Sequence, residues 1–129
     1  VGGSGVILLD DCVDAFDPTA IRASMGGIFT QQVVKASFDE FSRWKKVNSF
    51  TLVGTSDHEC QKHYRMLSYE KPTFLMMGSE RAGLPDSHLS LCDEMVMIPM
   101  FGSCDSLNLS VATGIVLYEI AHQLEGAQS

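Results

Sequence analysis

Three short segments of the sequence combine glycine with small polar residues, as ligand-binding turns do. They are Gly54-Thr55-Ser56, the segment 78–85 and the segment 99–103, and each follows an apolar run. Glycine lets a backbone approach a ligand closely, so that its amide and carbonyl groups serve as hydrogen-bond partners. A fourth turn, Asp10-Asp11, places two carboxylates after another apolar run. These four turns are the positions at which we expect chemistry.

The elements that hold these turns are predicted by the apolar runs before them. The runs are Val6–Leu9, Phe50–Val53, Thr73–Met77 and Met95–Ile98. Each is continuous rather than alternating, which is typical of strands that are buried on both faces of a sheet. In an open parallel sheet, ligands bind beyond the carboxyl ends of the strands, which is where all four turns fall.

Helical patterns separate the predicted strands. Pro18 opens a short helix toward Ser24, and Ser37 with Glu40 forms a capping box at the start of a second helix. The remaining segments are a loop with a short helix between Ser56 and Lys71, a short helix from Asp86 to Cys92, and a long helix from Ser106 to about Leu124. Strands that alternate with helices indicate one α/β domain, built on a mainly parallel sheet with helices on both faces.

The common phosphate-binding sites do not fit these turns. The turn that starts at Gly78 lacks the Gly-Lys-Ser/Thr ending of a P-loop, and no Gly-x-Gly-x-x-Gly pattern opens a dinucleotide site. A phosphoacceptor receiver domain has a similar length and an acidic pair like Asp10-Asp11. That interpretation is disfavoured, because Lys71 precedes a predicted strand instead of following one and no lone aspartate ends the central strand.

Composition excludes several classes of protein. The chain has 129 residues, of which 45% are hydrophobic and 19% charged, so it fits one folded domain and not a disordered chain. No apolar stretch is long enough for a transmembrane helix, and no signal peptide is visible. The four cysteines form no C-x-x-C pair, so we expect reduced thiols in the cytoplasm and no zinc ribbon. The net charge of -7 argues against a partner held mainly by counterion release, such as bulk nucleic acid.

Three segments resemble the motifs of a known family. Residues 75–84 read Leu-Met-Met-Gly-Ser-Glu-Arg-Ala-Gly-Leu, and residues 98–112 read Ile-Pro-Met-Phe-Gly-Ser-Cys-Asp-Ser-Leu-Asn-Leu-Ser-Val-Ala. They resemble motifs 2 and 3 of the SpoU (TrmH-type) RNA 2′-O-ribose methyltransferases, in the SPOUT superfamily. Residues 21–29 resemble the Arg-x-Ser-x-Gly segment of the same family. The resemblance therefore spans nearly the whole chain, in the right order and spacing.

The resemblance implies a trefoil-knotted α/β fold, a homodimer, and S-adenosylmethionine bound in the knot by backbone groups of three loops. Carried over by motif, the cofactor site consists of Thr55, Met77, Gly78, Gly83, Ile98, Met100 and Leu107. The residue types agree with this chemistry, because an adenosine with a methionine tail needs an apolar slot with a few backbone partners.

The resemblance also implies a reacting centre formed by Glu80, Ser106 and Asn108. Each has a structural alternative: Glu80 can accept amides of its own loop, Ser106 can cap the last helix, and Asn108, at the second position of that helix, can face solvent. Arg22 and Arg81 are expected to contact RNA phosphates, or else to be ordinary surface charges. No metal is implied.

One motif of the family is missing from the sequence. Motif 1, an Asn-x-Gly-x-x-x-Arg segment whose arginine helps to activate the ribose 2′-hydroxyl in the family, lies upstream of the first strand, and the chain begins at Val1. We therefore expect residues 1–129 to be a SpoU-type catalytic domain without its N-terminal part, which should be more basic.

The reaction expected of this domain is S-adenosylmethionine-dependent methylation of an RNA ribose 2′-hydroxyl. The Ala-Thr-Gly-Ile continuation at 112–115 resembles the ribosomal-RNA members of the family more than the tRNA guanosine members, which implies ribosomal RNA rather than tRNA as the substrate. The alternative is a noncatalytic knotted module that serves RNA binding or dimerisation.

Overall fold

The computed structural model describes residues 3, 5–10, 32–56, 62–70, 72–78, 83–103 and 107–126. These residues fall in two compact units, Gly2–Asn48 and Ser49–Ser129. Within the described ranges, no helix combines the length and the apolarity needed to cross a lipid bilayer. The short helix predicted from Pro18 to Ser24 lies outside the described residues.

The first unit contains two parallel strands and one helix. Strand β1 (Gly5–Leu9) pairs in parallel with β2 (Gln32–Ala36), and helix α1 (Phe38–Val47) follows directly. β1 is the strand that its apolar run predicts. β2 was not predicted, because the exposed residues Gln32 and Lys35 leave only a two-valine run between them.

Side-chain hydrogen bonds of Ser37, Glu40 and Asp10 stabilise the start of helix α1. The Ser37 hydroxyl accepts a hydrogen bond from the Glu40 amide at 3.1 Å, and the Glu40 carboxylate accepts one from the Ser37 amide at 3.1 Å. This confirms the predicted capping box, and hydrogen bonding of the Glu40 carboxylate to the backbone and side chain of Ser37 lowers the pKa of Glu40. Asp10, which follows β1 with a φ of 55°, accepts a hydrogen bond from the Phe38 amide at 2.8 Å. Asp10 therefore ties the end of β1 to the first turn of α1.

The second unit is built on a four-stranded parallel sheet. Its strands are β3 (Thr51–Thr55), β4 (Lys62–His63), β5 (Thr73–Met76) and β6 (Glu94–Met97), in the spatial order β4-β6-β3-β5. Its helices are α2 (Asp86–Leu91) and α3 (Leu109–Gly126). The predicted α/β class with a parallel sheet is confirmed, and the three long strands lie within two residues of their predicted bounds.

The core of this unit lies between the sheet and helix α3. Val53 of β3 and Val96 of β6 are fully buried, and they cluster with Val116 and Ile120 of α3 and with Tyr69. Burial of one such aliphatic side chain contributes roughly 1.5–3 kcal/mol. The long helix is therefore fixed on the sheet by its apolar side chains, which positions the residues that lead into it.

Two local predictions differ from the structure. Helix α3 begins at Leu109 rather than at Ser106, and it continues to Gly126. Between Ser56 and Lys71, residues 62–70 form β4 and a turn and contain no helix, while the rest of that segment lies outside the described residues. The trefoil knot and the covering of both sheet faces by helices stay predictions.

Candidate functional site

Three of the predicted turns start from neighbouring strands at one edge of the four-stranded sheet. β3 lies between β5 and β6 and pairs in parallel with both, with Gly54 opposite Met76 and Thr55 opposite Val96. The carboxyl ends of the three strands are therefore adjacent. This brings the starts of the turns at 55–56, 77–78 and 98–100 side by side, at the edge where parallel sheets bind ligands.

Direct hydrogen bonds connect the end of β3 to its neighbours on both sides. The Thr55 hydroxyl donates to the sulfur of Met77 at 3.4 Å, and both side chains are half-buried. On the other side, the Ser56 amide donates to the carbonyl oxygen of Val96 at 3.0 Å. Because these contacts exist within the protein itself, this edge of the sheet is preorganised before any ligand arrives.

The turn after β5 brings its two ends into contact. A Cβ atom on Gly78 would lie 2.2 Å from the carbonyl carbon of Gly83 and 2.4 Å from the amide nitrogen of Leu84, distances that real Cβ atoms essentially never show. Gly83 has a φ of 67°, in the left-handed region that favours glycine. The geometry therefore requires glycine at Gly78 for space and favours it at Gly83 for conformation.

Gly54 makes room for the chain that follows this turn. A Cβ atom at Gly54 would lie 2.7 Å from the sulfur of Cys92, 2.8 Å from the sulfur of Met95 and 3.2 Å from a methyl carbon of Leu84. Cys92 is half-buried and its thiol donates to the His88 carbonyl oxygen at 3.4 Å, and the other three cysteines lie outside the described residues. Gly54 therefore allows Leu84 and Cys92 to pack directly on β3.

The turn after β6 has a buried part and an exposed part. Ile98 packs against the core of the unit, Met100 is half-buried, and Phe101 is 92% exposed. Gly102 has a φ of 119°, a conformation that side chains rarely adopt. The side chain of Ile98 therefore serves the core, so any contact it makes with a ligand is expected from its backbone.

Asn108 caps helix α3. Its carbonyl oxygen accepts a hydrogen bond from the Ala112 amide at 2.9 Å, and its side-chain oxygen accepts one from the Ser110 amide at 2.9 Å. This is N-cap geometry, so Asn108 is the cap and not the second helical residue, which corrects the cap predicted at Ser106. The Asn108 side chain is exposed, and its amide NH2 group donates to no atom of the described residues.

The described members of the predicted site contribute shape and hydrogen-bonding groups rather than charge. Leu107 is half-buried, and no described member, from Thr55 to Asn108, has an ionisable side chain. Among the described residues, no three His, Cys, Asp or Glu side chains are grouped so that they could hold a metal ion. The predicted site residues outside the described ranges are Arg22, Glu80, Arg81 and Ser106.

An open depression of about 600 Å³ lies in the first unit, at the carboxyl ends of β1 and β2. It is lined by Asp10, Lys35, Ala36, Ser37 and Glu40. Asp10, Ser37 and Glu40 are the groups that cap helix α1, so this depression is explained by the start of that helix.

Comparisons with known proteins agree with the geometry. The SpoU rRNA Methylase family matches residues 1–118. The chain is 35% identical over 130 residues to the 23S rRNA (uridine(2479)-2′-O)-methyltransferase of Streptomyces viridochromogenes, which covers 95% of this chain and 45% of that protein. It is 40% identical over 80 residues to the tRNA (guanosine(18)-2′-O)-methyltransferase of Aquifex aeolicus, and this match covers 62% of this chain and 38% of that protein.

A solved structure has the same fold. The crystal structure of an AdoMet-bound rRNA methyltransferase from Sinorhizobium meliloti superposes with a TM-score of 0.88 at 37% identity, over 95% of this chain and 47% of that chain. The chain thus spans about half the length of these relatives or less. The family predicted from the motifs is confirmed: this chain belongs to the SpoU rRNA methylase family.

Proposed function

We propose that this chain catalyses transfer of a methyl group from S-adenosylmethionine to a ribose 2′-hydroxyl of RNA, with ribosomal RNA as the favoured substrate. The structural observation that carries the proposal is the tight turn at Gly78, set among three adjacent strand ends. In sequence, the rRNA methyltransferase of S. viridochromogenes matches 95% of this chain, whereas the tRNA methyltransferase of A. aeolicus matches 62%. That difference in coverage supports ribosomal RNA over tRNA.

The described residues fit S-adenosylmethionine as the cofactor. Its adenosine needs apolar walls and a few hydrogen-bond partners. Met77 and Met100 supply half-buried apolar surface, and a Cβ atom at Gly83 would meet no atom within 4 Å, so the backbone there is open to a ligand. The residues assigned to hold the cofactor are Thr55, Met77, Gly78, Gly83, Ile98, Met100 and Leu107. When bound, S-adenosylmethionine supplies an electrophilic methyl group on its sulfonium sulfur.

Asn108 is assigned to position the RNA ribose. Its side-chain oxygen is occupied by the cap of α3, which leaves the amide NH2 group to donate to a ribose or phosphate oxygen. A 2′-hydroxyl is a poor nucleophile at neutral pH and has to lose its proton as the new bond forms. Glu80 and Ser106 complete the proposed catalytic set, and Arg22 and Arg81 are the proposed RNA phosphate contacts.

We also propose that the protein forms a homodimer in the cytoplasm and that its reaction needs no metal ion. Val111 and Tyr118, two turns apart on α3, are 51% and 69% exposed. A second copy of this chain packed on that stripe would bury apolar surface that is otherwise in water. Residues 1–129 act as the catalytic domain of a cytoplasmic homodimer that needs no metal ion.

The experiment combines the purified protein with tritiated S-adenosylmethionine and unmodified 23S rRNA or tRNA transcribed in vitro. We expect label in 23S rRNA, recovered in alkali-stable dinucleotides, because a 2′-O-methyl group protects the adjacent phosphodiester from alkaline cleavage. Labelling of tRNA alone would reverse the substrate preference. Binding of cofactor and RNA without any transfer would identify a noncatalytic module, and activity lost in EDTA would contradict the metal-free reaction.

A further inference from the structure

The exposed side of helix α1 carries cations next to an aromatic ring. Arg43, Trp44, Lys46 and Val47 are all exposed, and we call these four residues the α1 basic face. At 3.6 residues per turn, Arg43 is a surface neighbour of Lys46 and Val47, and Trp44 is a neighbour of Val47. Phe41, one turn before Trp44, is buried with 5% exposure. The face is therefore one continuous surface that borders the buried side of the helix at Trp44.

Charge on this helix is separated along its length. Its acidic residues, Asp39 and Glu40, lie in the first turn, and Glu40 is held in the capping box with Ser37. Among the described residues, neither Arg43 nor Lys46 forms an ion pair. Four of the nine cations of the chain lie between residues 35 and 47. The C-terminal half of α1 is thus a local positive surface on a chain whose net charge is -7.

The helix dipole explains only part of this arrangement. Cations in the last turn stabilise a helix by about 0.3–1 kcal/mol, which accounts for the sign of the charges there. The dipole does not account for the two large apolar side chains beside them, since Trp44 is 42% and Val47 80% exposed. The indole is also held in place, because its ring lies 6.1 Å from the ring of Phe41.

A surface that carries both an exposed aromatic ring and cations is typical of proteins that bind single-stranded nucleic acid. Unstacked bases stack on the ring, and the neighbouring cations contact the phosphates. We propose that the α1 basic face binds unpaired nucleotides of the RNA substrate, with one base on Trp44 and adjacent phosphates on Arg43 and Lys46. This inference rests on the proposed function and adds to it a surface, in the first unit, that captures the RNA.

The sole tryptophan of the chain makes the test direct. Because Trp44 is the only indole, its fluorescence reports on this face alone. The full chain is titrated with a single-stranded oligouridylate, and affinity is measured in parallel by the anisotropy of the same RNA carrying a dye. We expect quenching of Trp44 with the same dissociation constant as the anisotropy change. Trp44→Leu should weaken binding about tenfold, within the range measured for loss of one stacked base.

The double variant Arg43→Gln, Lys46→Gln tests the phosphate contacts. Loss of two contacts should reduce the slope of log affinity against log salt by about 1.4 for single-stranded RNA. The matched control is Lys62→Gln, Arg65→Gln, which removes the same charge from exposed residues of the second unit and should leave the slope unchanged. Circular dichroism melts of each variant show that the fold is intact.

Three outcomes would overturn the inference. The first is RNA binding without quenching of Trp44 fluorescence. The second is a loss of RNA affinity in the control variant equal to that in the Arg43→Gln, Lys46→Gln variant. The third is a pull-down in which the α1 basic face captures a protein, while substitutions in this face leave RNA affinity unchanged. Failure of the proposed function has a different signature. In that case the unmodified protein transfers no methyl group to RNA, whatever the variants of α1 do.

Discussion

The backbone of Gly78 lies against the backbone of Gly83, so close that a Cβ atom on Gly78 would be 2.2 Å from the carbonyl carbon of Gly83. The two residues stand at opposite ends of one turn, and their positions make different demands. Gly78 needs space, whereas Gly83, with a φ of 67° and no atom within 4 Å of a Cβ, needs only conformational freedom. Substitution by alanine therefore tests a steric clash at Gly78 and backbone strain at Gly83.

We predict that Gly78→Ala forces the turn apart and weakens binding of S-adenosylmethionine at least tenfold. Overpacking of this kind destabilises a fold by about 1–3 kcal/mol. Gly83→Ala should cost about 1–2 kcal/mol in stability through its left-handed backbone, with a smaller loss of cofactor affinity. The measurements are isothermal titration calorimetry and chemical unfolding.

Gly114→Ala is the control for these variants. Its Cβ position is open, and alanine in a helix interior is favoured over glycine by about 0.5–1 kcal/mol. This variant should therefore be slightly more stable than the unmodified protein and should bind the cofactor unchanged. Unaltered cofactor affinity in Gly78→Ala would contradict the assignment of this turn to the cofactor site.

Asn108 has two roles that different substitutions separate. Asn108→Asp keeps an oxygen that accepts the hydrogen bond from the Ser110 amide, and it loses the NH2 group. We expect this variant to keep its stability, because a carboxylate is favoured at a helix N-terminus, and to lose most of its methyl transfer. Asn108→Ala should lose activity as well and also about 1 kcal/mol of stability. Full methyl transfer by Asn108→Asp would limit Asn108 to its structural role.

The sequence predicted the long strands of the second unit better than the short ones. β3, β5 and β6 are continuous apolar runs, a pattern that is typical of strands in parallel sheets and is easily identified. β4 is only Lys62–His63, whose polar side chains follow no strand pattern. Its pairing with β6 is a tertiary effect, since a two-residue strand forms only where a neighbour already exists.

The turns of the candidate site were predicted at the ends of their strands, but their contacts were not. Asp105, Ser106 and Asn108 are all residue types that cap helices, so propensity alone could not decide which one begins α3. The tight approach of Gly78 to Gly83 depends on how the turn folds back, and a pair of glycines in a sequence does not reveal that. The Thr55–Met77 hydrogen bond likewise depends on two strands being neighbours.

Gln123 joins helix α3 to the segment after β4. Its side-chain oxygen accepts from the Tyr69 amide at 2.9 Å, and its NH2 group donates to the Leu67 carbonyl at 3.0 Å. Gln123→Ala leaves both backbone groups partly buried without this partner, so we expect a loss of about 1–3 kcal/mol in the free energy of unfolding. His122→Ala, at the exposed neighbouring position, should change stability by less than about 0.5 kcal/mol. Equal losses in the free energy of unfolding for Gln123→Ala and His122→Ala would contradict this role of Gln123.

The stripe that contains Val111 and Tyr118 predicts where a second copy packs. Tyr118→Glu places a charge in the middle of that surface, so we expect the dimer to dissociate into monomers in light scattering coupled to gel filtration. Met66→Glu is the matched control, because Met66 is 79% exposed and lies in a turn that is not part of α3. Dissociation in both variants, or an unmodified protein that is monomeric, would contradict the assignment of this face.

Tyr69 predicts how stability depends on pH in alkaline solution. Its side chain is 5% exposed and donates to the Tyr64 carbonyl at 2.6 Å. Burial, reinforced by the charge of Glu119 and by Tyr64, raises the pKa of Tyr69 from 10.0 to about 12. The folded state therefore holds this proton more tightly than the unfolded state does. Its contribution is complete below the unfolded pKa of 10.0 and is lost as the pH rises through about 12.

Urea unfolding measured at intervals from neutral pH to about pH 12 follows this loss. Tyr69→Phe should remove most of the decline in stability between the unfolded and folded pKa values, because no proton is then lost at this position. It should also cost about 1 kcal/mol at neutral pH, since the hydrogen bond to Tyr64 is gone. The same decline in Tyr69→Phe as in the unmodified protein would show that Tyr69 is not the group responsible.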